Sequence, residues 1–290
     1  MEANREIVYY LSQLDTDFKW LELYYLSDLH YGNPFCDAKR WLRGLDYIRD
    51  TAQAHVVLTG DLCESSLRTS KGEIYKQVGT PQDQRDWNIE KLYPIRHKIL
   101  GMCSGNHEDR IFNEVGIDIT KDIAEALGVP YDPDGMYLKV SFGDRNNWTQ
   151  GRPFVYYSDS SHGYGGARTK AAKAVKVERQ STWLHADITT MSHDHVVNAA
   201  PDIFLMPDNR TTPQRKDGKL TGFRTGKVVA HRKSLVKTNA FLKWGGYARK
   251  GGFPPSDLIT PIIWLGGEEK PWPGPKSPSM ELRKEVRVVV

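Results

Sequence analysis

The chain has 290 residues, 39% of them hydrophobic and 26% charged, a composition that excludes collagen-like, low-complexity and disordered classes. Its three cysteines, Cys36, Cys63 and Cys103, form no C-x-x-C pair, which argues against a disulfide framework or a thiolate zinc site. The net charge of +4 is uneven: residues 1–145 hold 17 Lys/Arg against 24 Asp/Glu and residues 146–290 hold 23 against 12, which suits either a polyanionic partner or two complementary halves.

The opening stretch, MEANREIVYYLSQLDTDFKW, has no basic n-region, apolar h-region or small-residue cleavage site. Apolar runs such as VVL and IIWL are too short to span a bilayer. The expectation is a cytosolic protein with no membrane partner.

From residue 20 the chain alternates between β-rich runs and helical patterns. The predicted strands are WLELYYLS (20–27), AHVVLTG (54–60), KILGMCSG (98–105), PFVYYSDSS (153–161) and ADITTMS (186–192). Helices are predicted over 37–54, with Trp41, Leu42, Leu45 and Ile48 on one face, and over 83–97, 120–127 and 167–184. Such alternation points to an α/β sheet. The irregular stretch 63–87 is long enough to form one wall of a site. After residue 195 the runs DIFLMP, KVVAHRKSLVKTNAFL, TPIIWLG and EVRVVV follow without a convincing helix, and predict a second sheet closing the same core. The Pro-rich piece KPWPGPKSPS (270–279) reads as a surface connection before a final strand.

Each of the five predicted strands is followed by ligand-type side chains: Asp28-x-His30, Asp61-x-x-Glu64, Asn106-His107-Glu108, His162 and His193-x-His195. Asp28-x-His30 alone fits a turn, since Gly32, Asn33 and Pro34 follow. It also fits a metal site, because residues two apart in an extended chain point to one side. Five such groups at the carboxyl ends of strands, where α/β sheets bind ligands, favour the metal site.

This constellation resembles the calcineurin-like metallophosphoesterase superfamily, which includes Ser/Thr phosphatases, purple acid phosphatases, cyclic-nucleotide phosphodiesterases and double-strand-break-repair nucleases. The resemblance covers residues 20–195 and extends to about 265. The segments KGEIYKQVGTPQDQ and FLKWGGYARKGGFPPSDLITPIIWL are similar, more narrowly, to uncharacterised members common in phage genomes, which implies a virus-encoded protein acting in a host cytoplasm. The resemblance implies an α/β fold, a four-layer αββα sandwich of two mixed β-sheets flanked by helices. It also implies one domain over 1–290, with a motif-bearing core at about 20–200, a β-rich part at 201–268 and a closing segment at 269–290.

Carried over by motif, the resemblance puts Asp28, His30 and His195 on one metal ion and Asn106, His162 and His193 on a second, with Asp61 bridging. Imidazole, carboxylate and amide ligands suit Mn first, with Fe, Zn or Ni as alternatives. The family's chemistry implies in-line attack on phosphorus by a hydroxide that the metals hold. His107 is then expected to protonate the leaving oxygen or bind the phosphate, oriented by Asp28 or Glu108. One departure is visible: the last motif usually begins with Gly, and here Ser192 stands in that place.

Arg110, Lys170 and Lys173 are the expected substrate contacts. With Lys176 and Arg179, the two lysines give helix 167–184 a broad basic face that suits a DNA or RNA backbone as well as it suits solvent. The reading is a phosphodiesterase or nuclease acting on nucleic acid or nucleotides. The alternatives are a phosphomonoesterase, a small cyclic-nucleotide phosphodiesterase and a non-catalytic metal-binding scaffold.

Overall fold

The computed structural model describes residues 7–15, 17–70, 74–143, 154–207, 215–220, 228–271 and 280–290. In chain order the elements are β1 (Tyr10–Gln13), β2 (Trp20–Leu26), α1 (Ala38–Asp50), β3 (Ala54–Thr59), α2 (Pro81–Leu92), β4 (Ile99–Cys103), α3 (Asn106–Val115), α4 (Ile119–Leu127), β5 (Met136–Phe142) and β6 (Phe154–Ser161). Then come α5 (Lys170–Gln180), β7 (Ile188–Met191), β8 (Asn198–Pro207), β9 (Arg215–Lys216), β10 (Lys219–Leu220), β11 (Val228–Lys237), α6 (Gly246–Lys250), β12 (Ile262–Pro271) and β13 (Met280–Val289).

Strand β2 shows why the fold needs four layers. Leu21, Leu23 and Tyr25 alternate with Tyr24 and Leu26, and both sets are buried, so the strand must be covered on both faces. The first set packs between two sheets, against Leu138, Val140, Tyr156 and Ile188. The second set packs against Trp41, Leu45 and Ile48 of α1. The sheet containing β2 has the order β13-β12-β2-β3-β4, and the facing sheet has the order β1-β5-β6-β7-β11-β8. Helix α5 lies on β7 and β11 through Val177, Met191 and Leu235, completing the αββα sandwich. Both sheets are mixed: β2, β3 and β4 run parallel, as do β6, β7 and β11 and, at the far edge, β1 and β5, while β12 and β13, β8, and the β5–β6 pair are antiparallel.

All five predicted ligand-bearing strands form. Helices α1, α4 and α5 lie within or close to their predicted spans, and 83–97 divides into the end of α2 and a 3₁₀ turn at Tyr93–Lys98. The β-rich tail departs from expectation. It does not form the second sheet by itself: β8 and β11 extend the sheet begun by β5, β6 and β7, whereas β12 and β13 join the first sheet alongside β2. A short helix, α6, also interrupts it. Of the Pro-rich connection, residues 272–279 lie outside the described residues. Among the described residues no helix is long and apolar enough to cross a membrane.

The two sheets bring the carboxyl ends of β2, β3 and β4 beside those of β6 and β7. Two glycines allow the loops there to touch. Gly60 adopts φ +82°, and a Cβ on it would lie 2.5 Å from Gly105 N; a Cβ on Gly105 would overlap Asp61 N and Oδ1. Gly105→Ala is therefore expected to destabilise the fold by about 1–3 kcal/mol, the usual cost of overpacking. Gly44→Ala, at an open helical position of α1, should stabilise it by about 0.5–1 kcal/mol. Urea denaturation of the two variants checks both signs.

Candidate metal centre

The loops after β2 and β3 run side by side: Asp28 N donates to Gly60 O (3.0 Å), His30 N to Asp61 O (2.9 Å) and Tyr31 N to Leu62 O (2.9 Å). Within these loops Asp28, His30 and Asp61 have φ of 51°, 49° and 52°, and His193 and His195 after β7 have 68° and 52°. A non-glycine residue in this left-handed region costs roughly 1–2 kcal/mol. Asp28 and His30 therefore converge through left-handed turns, and the extended-chain alternation expected from their spacing does not apply.

Among the described residues the side chains form three adjoining groups: Asp28, His30 and His195; Asp61, His162 and His193; and His30, Glu64 and His107. In the first, Asp28 Oδ1 lies 3.1 Å from His195 Nε2, and His30 Nε2 lies 3.3 Å from His195 Nε2. In the second, His162 Nε2 lies 3.2 Å from Asp61 Oδ2, 3.1 Å from Asn106 Oδ1 and 3.2 Å from His193 Nδ1. Asp61 Oδ2 is also 3.7 Å from His30 Nε2, so this one oxygen faces both groups. Its partner Oδ1 is occupied by His107 N at 2.8 Å, at the N-terminus of α3.

The tautomers indicate what these groups can hold. His162 Nδ1 donates to Thr59 O (2.8 Å) and His193 Nε2 to Gly165 O (2.6 Å), so in the neutral rings His162 Nε2 and His193 Nδ1 carry lone pairs. Those nitrogens, a carboxylate oxygen and an amide oxygen then meet with no proton among them. A cation fits such a set. Ligand atoms bound about 2.0–2.2 Å from one ion sit roughly 3.0–3.6 Å apart, as here. In the first group His30 Nδ1 faces Glu64 Oε2 at 3.3 Å, turning Nε2 toward Asp28 and Asp61. Asp28 Oδ2 accepts from Ser27 Oγ (2.6 Å) and His193 N (3.1 Å), while buried Oδ1 has no well-directed hydrogen bond.

The electrostatics agree with this. Burial alone would raise the Asp28 and Asp61 carboxyls, but His195 beside Asp28, and His162 and His107 beside Asp61, hold both well below the usual carboxylate range. Burial would lower His30 and His162, yet the hydrogen bond to Glu64 and the Asp61 charge raise His30 to about 9, and Asp61 and Asp28 raise His162 to about 10. Protons are thus drawn to the positions that cations would take.

Around this centre several expectations change. Glu108 does not orient His107: its carboxylate accepts from Asp61 N (2.9 Å) and Cys63 N (2.8 Å), pinning the backbone at Asp61. Burial and the Asp61 charge raise it to about 7. Nor is Asp28 the group that orients His107, whose Nδ1 donates to Glu64 O at 2.8 Å, with Arg110 Nη1 3.2 Å from the same nitrogen. Burial pushes the His107 imidazole down to about 4. Ser192 lies outside the left-handed region, so the site tolerates its Cβ. Its buried hydroxyl bonds Thr59 Oγ1 (2.6 Å) and Thr238 Oγ1 (2.8 Å).

The basic face of α5 is also corrected. Lys173 and Lys176 turn inward, where Lys173 Nζ donates to Asp194 O (2.9 Å) and Lys176 Nζ pairs with Asp194 Oδ1 (2.6 Å); Lys170 and Arg179 remain exposed. Lys237, fully buried, pairs with Asp194 Oδ2 at 2.6 Å and donates to Ser192 O. Asp194 lies between the two histidines of the last motif, so three lysines hold that loop. A carboxylate between two histidines hints at this role in the sequence. Lys237, at the end of an ordinary strand, carries no such hint. Cys63 and Cys103 are buried packing residues whose thiols burial pushes up.

No protein-family model matches the chain. Curated relatives include the tRNA N6-adenosine threonylcarbamoyltransferases of Buchnera aphidicola subsp. Acyrthosiphon pisum strains Tuc7, 5A and APS, each 26% identical over 149 residues, which is 51% of this chain. The match spans only 40% of those proteins' length. Similar solved structures include a Vps29 of Entamoeba histolytica (10% identity, 92% of this chain and 99% of that one, TM-score 0.40) and the Pseudomonas putida nuclease MPE (10%, 83% and 82%, 0.36). Another is Vacuolar Protein Sorting 29 of Cryptosporidium parvum (13%, 92% and 98%, 0.38). In its two facing sheets and the order of its motifs, the chain is similar to the calcineurin-like metallophosphoesterases. Likeness at these scores says nothing of activity, which has to be argued from the residues themselves.

If the lysines hold the last motif, Lys237→Met should destabilise the chain by about 3 kcal/mol, the lower end for breaking a buried pair, because Lys176 still faces Asp194. It should also weaken Mn²⁺ uptake. Lys170→Gln and Arg179→Gln should change neither quantity, as read by denaturation and metal titration.

Proposed function

We propose that the chain is a two-metal phosphoester hydrolase that cleaves phosphodiesters of nucleotides or nucleic acid. One observation carries this reading: two groups of ligand atoms share Asp61 Oδ2 at the floor of a cleft of about 770 Å³. Asp28, His30 and His195 would hold one divalent cation and Asn106, His162 and His193 the other, with Mn favoured over Fe, Zn or Ni. When bound, a pair of cations makes water nucleophilic near neutral pH and offsets charge on phosphoryl oxygens.

The chain's own residues supply the rest. Asn106 adds an oxygen without adding charge, which keeps the floor attractive to an anion. The N-terminus of α3, the electropositive end of that helix, points at the same floor. His107 and Arg110 line the cleft beside it, with His107 Nε2 4.0 Å from Asp61 Oδ2. Because Nδ1 donates to Glu64 O, His107 Nε2 can give a proton only from the imidazolium, a form that a phosphoester anion beside it favours against the burial. So charged, Nε2 is placed to meet the leaving oxygen, and Arg110 to meet a phosphoryl oxygen.

The cleft runs past the ligand groups along a wall containing Phe35, Leu242 and Trp244, leaving room for a group on each side of phosphorus. That supports a diester over a monoester. The basic helix no longer supports a polymeric nucleic acid, because Lys173 and Lys176 are engaged by Asp194.

With Mn²⁺ added, the protein should hydrolyse bis-p-nitrophenyl phosphate faster than p-nitrophenyl phosphate. His107→Ala should retain metal and lose about 10²–10⁴-fold in kcat on a diester with a poor leaving group, and less on a nitrophenyl ester. Equal losses on both would make His107 a phosphate-binding group. Faster turnover of the monoester would make the chain a phosphomonoesterase, and turnover of neither, with metal bound, a non-catalytic scaffold.

A further inference from the structure

Beyond the metal groups, the cleft wall is aromatic, and two distant segments build it. Residues 35–37 pair with 241–243: Lys243 N donates to Phe35 O (2.9 Å), Asp37 N donates to Phe241 O (2.7 Å), and Cys36 bridges Leu242. This pairing sets Phe35, five residues after His30, beside Trp244.

Both aromatic side chains are fixed in place but exposed. The Phe35 ring lies on the Gly245–Gly246 backbone: a Cβ on Gly246 would come 2.7 Å from Phe35 Cε2, and one on Gly245 would overlap Cε1. Trp244 Nε1 donates to Phe253 O at 2.8 Å. Even so, Phe35 is 37% and Trp244 46% exposed. Cations stand nearby: Arg249 Cζ is 6.0 Å from the Trp244 ring centroid, and Lys243, whose Nζ is 3.8 Å from Asp37 Oδ2, lines the same cleft. Exposed aromatic rings held rigid beside cations are what a planar base with an adjoining phosphate stacks on.

We infer that Phe35 and Trp244 form a base-stacking subsite that selects diesters carrying a nucleoside on one side of the phosphorus held at the metal centre. The inference rests on the phosphoesterase reading for its phosphate position. It names a nucleobase as occupant because the wall is continuous with that centre, offers planar apolar faces and is flanked by positive charge.

Two diesters with the same leaving group test it: thymidine 5′-(p-nitrophenyl phosphate) and methyl p-nitrophenyl phosphate, with Mn²⁺-loaded protein. Trp244→Ala should raise KM for the thymidine ester about tenfold, within the range of one base–aromatic stack, and leave the methyl ester within about twofold. Trp244→Phe, which keeps a planar ring, should recover most of the loss and shows that the site still folds. Calorimetry with thymidine 5′-monophosphate and methyl phosphate reads the subsite without turnover. Wild-type protein should bind the nucleotide about tenfold more tightly, and Trp244→Ala should erase the difference. Should wild type prefer neither ligand, or should Trp244→Ala keep the preference, the subsite is overturned even if both diesters are hydrolysed. Should neither diester be hydrolysed, the phosphodiesterase reading fails and calorimetry alone decides the subsite.

Discussion

Asp61 Oδ2 lies between two sets of imidazoles, 3.2 Å from His162 Nε2 on one side and 3.7 Å from His30 Nε2 on the other, and is almost fully buried. A buried carboxylate in that position needs positive charge on both sides. His30 and His162, both raised by the neighbouring carboxylates, can offer it as imidazolium, and two divalent cations would provide it more fully. Much of the surrounding architecture keeps this carboxylate in place: His107 N on its other oxygen, Glu108 on its backbone N–H, and the glycine contact that lets α3 approach.

The fold contributes by bringing strand ends together. Strands β2, β3 and β4 deliver Asp28, His30, Asp61 and Asn106 from one sheet, while β6 and β7 deliver His162, His193 and His195 from the other. The centre therefore depends on how the two sheets pack, and the core between them, with Tyr25, Leu138, Tyr156 and Ile188, fixes that packing. Left-handed backbone at five of these side chains costs stability that neighbouring hydrogen bonds must offset. The Asp194 clamp makes that offset visible for the last motif, where Lys176 and Lys237 pair with the carboxylate and Lys173 holds the backbone carbonyl.

The side chains that meet here were legible because each motif follows a short apolar β-rich run, a signal that needs no tertiary information. Strand β1, only four residues long and half exposed, and α3, which opens on the polar run Asn106-His107-Glu108-Asp109, lack such a signal and were not anticipated. The division of the β-rich tail between two sheets was equally hidden. Pairing β12 with β2 joins segments more than 200 residues apart, and local periodicity does not record it. Lys173 and Lys176 misled for a related reason: charge spacing on a helix is the same whether a face meets solvent or, as here, a buried aspartate.

Diffraction from a Mn²⁺-soaked crystal, collected at the manganese absorption edge, tests the shared carboxylate most directly. Two anomalous peaks about 3.5–4 Å apart are expected, the usual spacing of paired metals. One should lie among Asp28, His30 and His195 and the other among Asn106, His162 and His193, with Asp61 touching both. A single peak, or a peak held by Glu64 and His107 with Asp61 bound to no metal, would contradict the account.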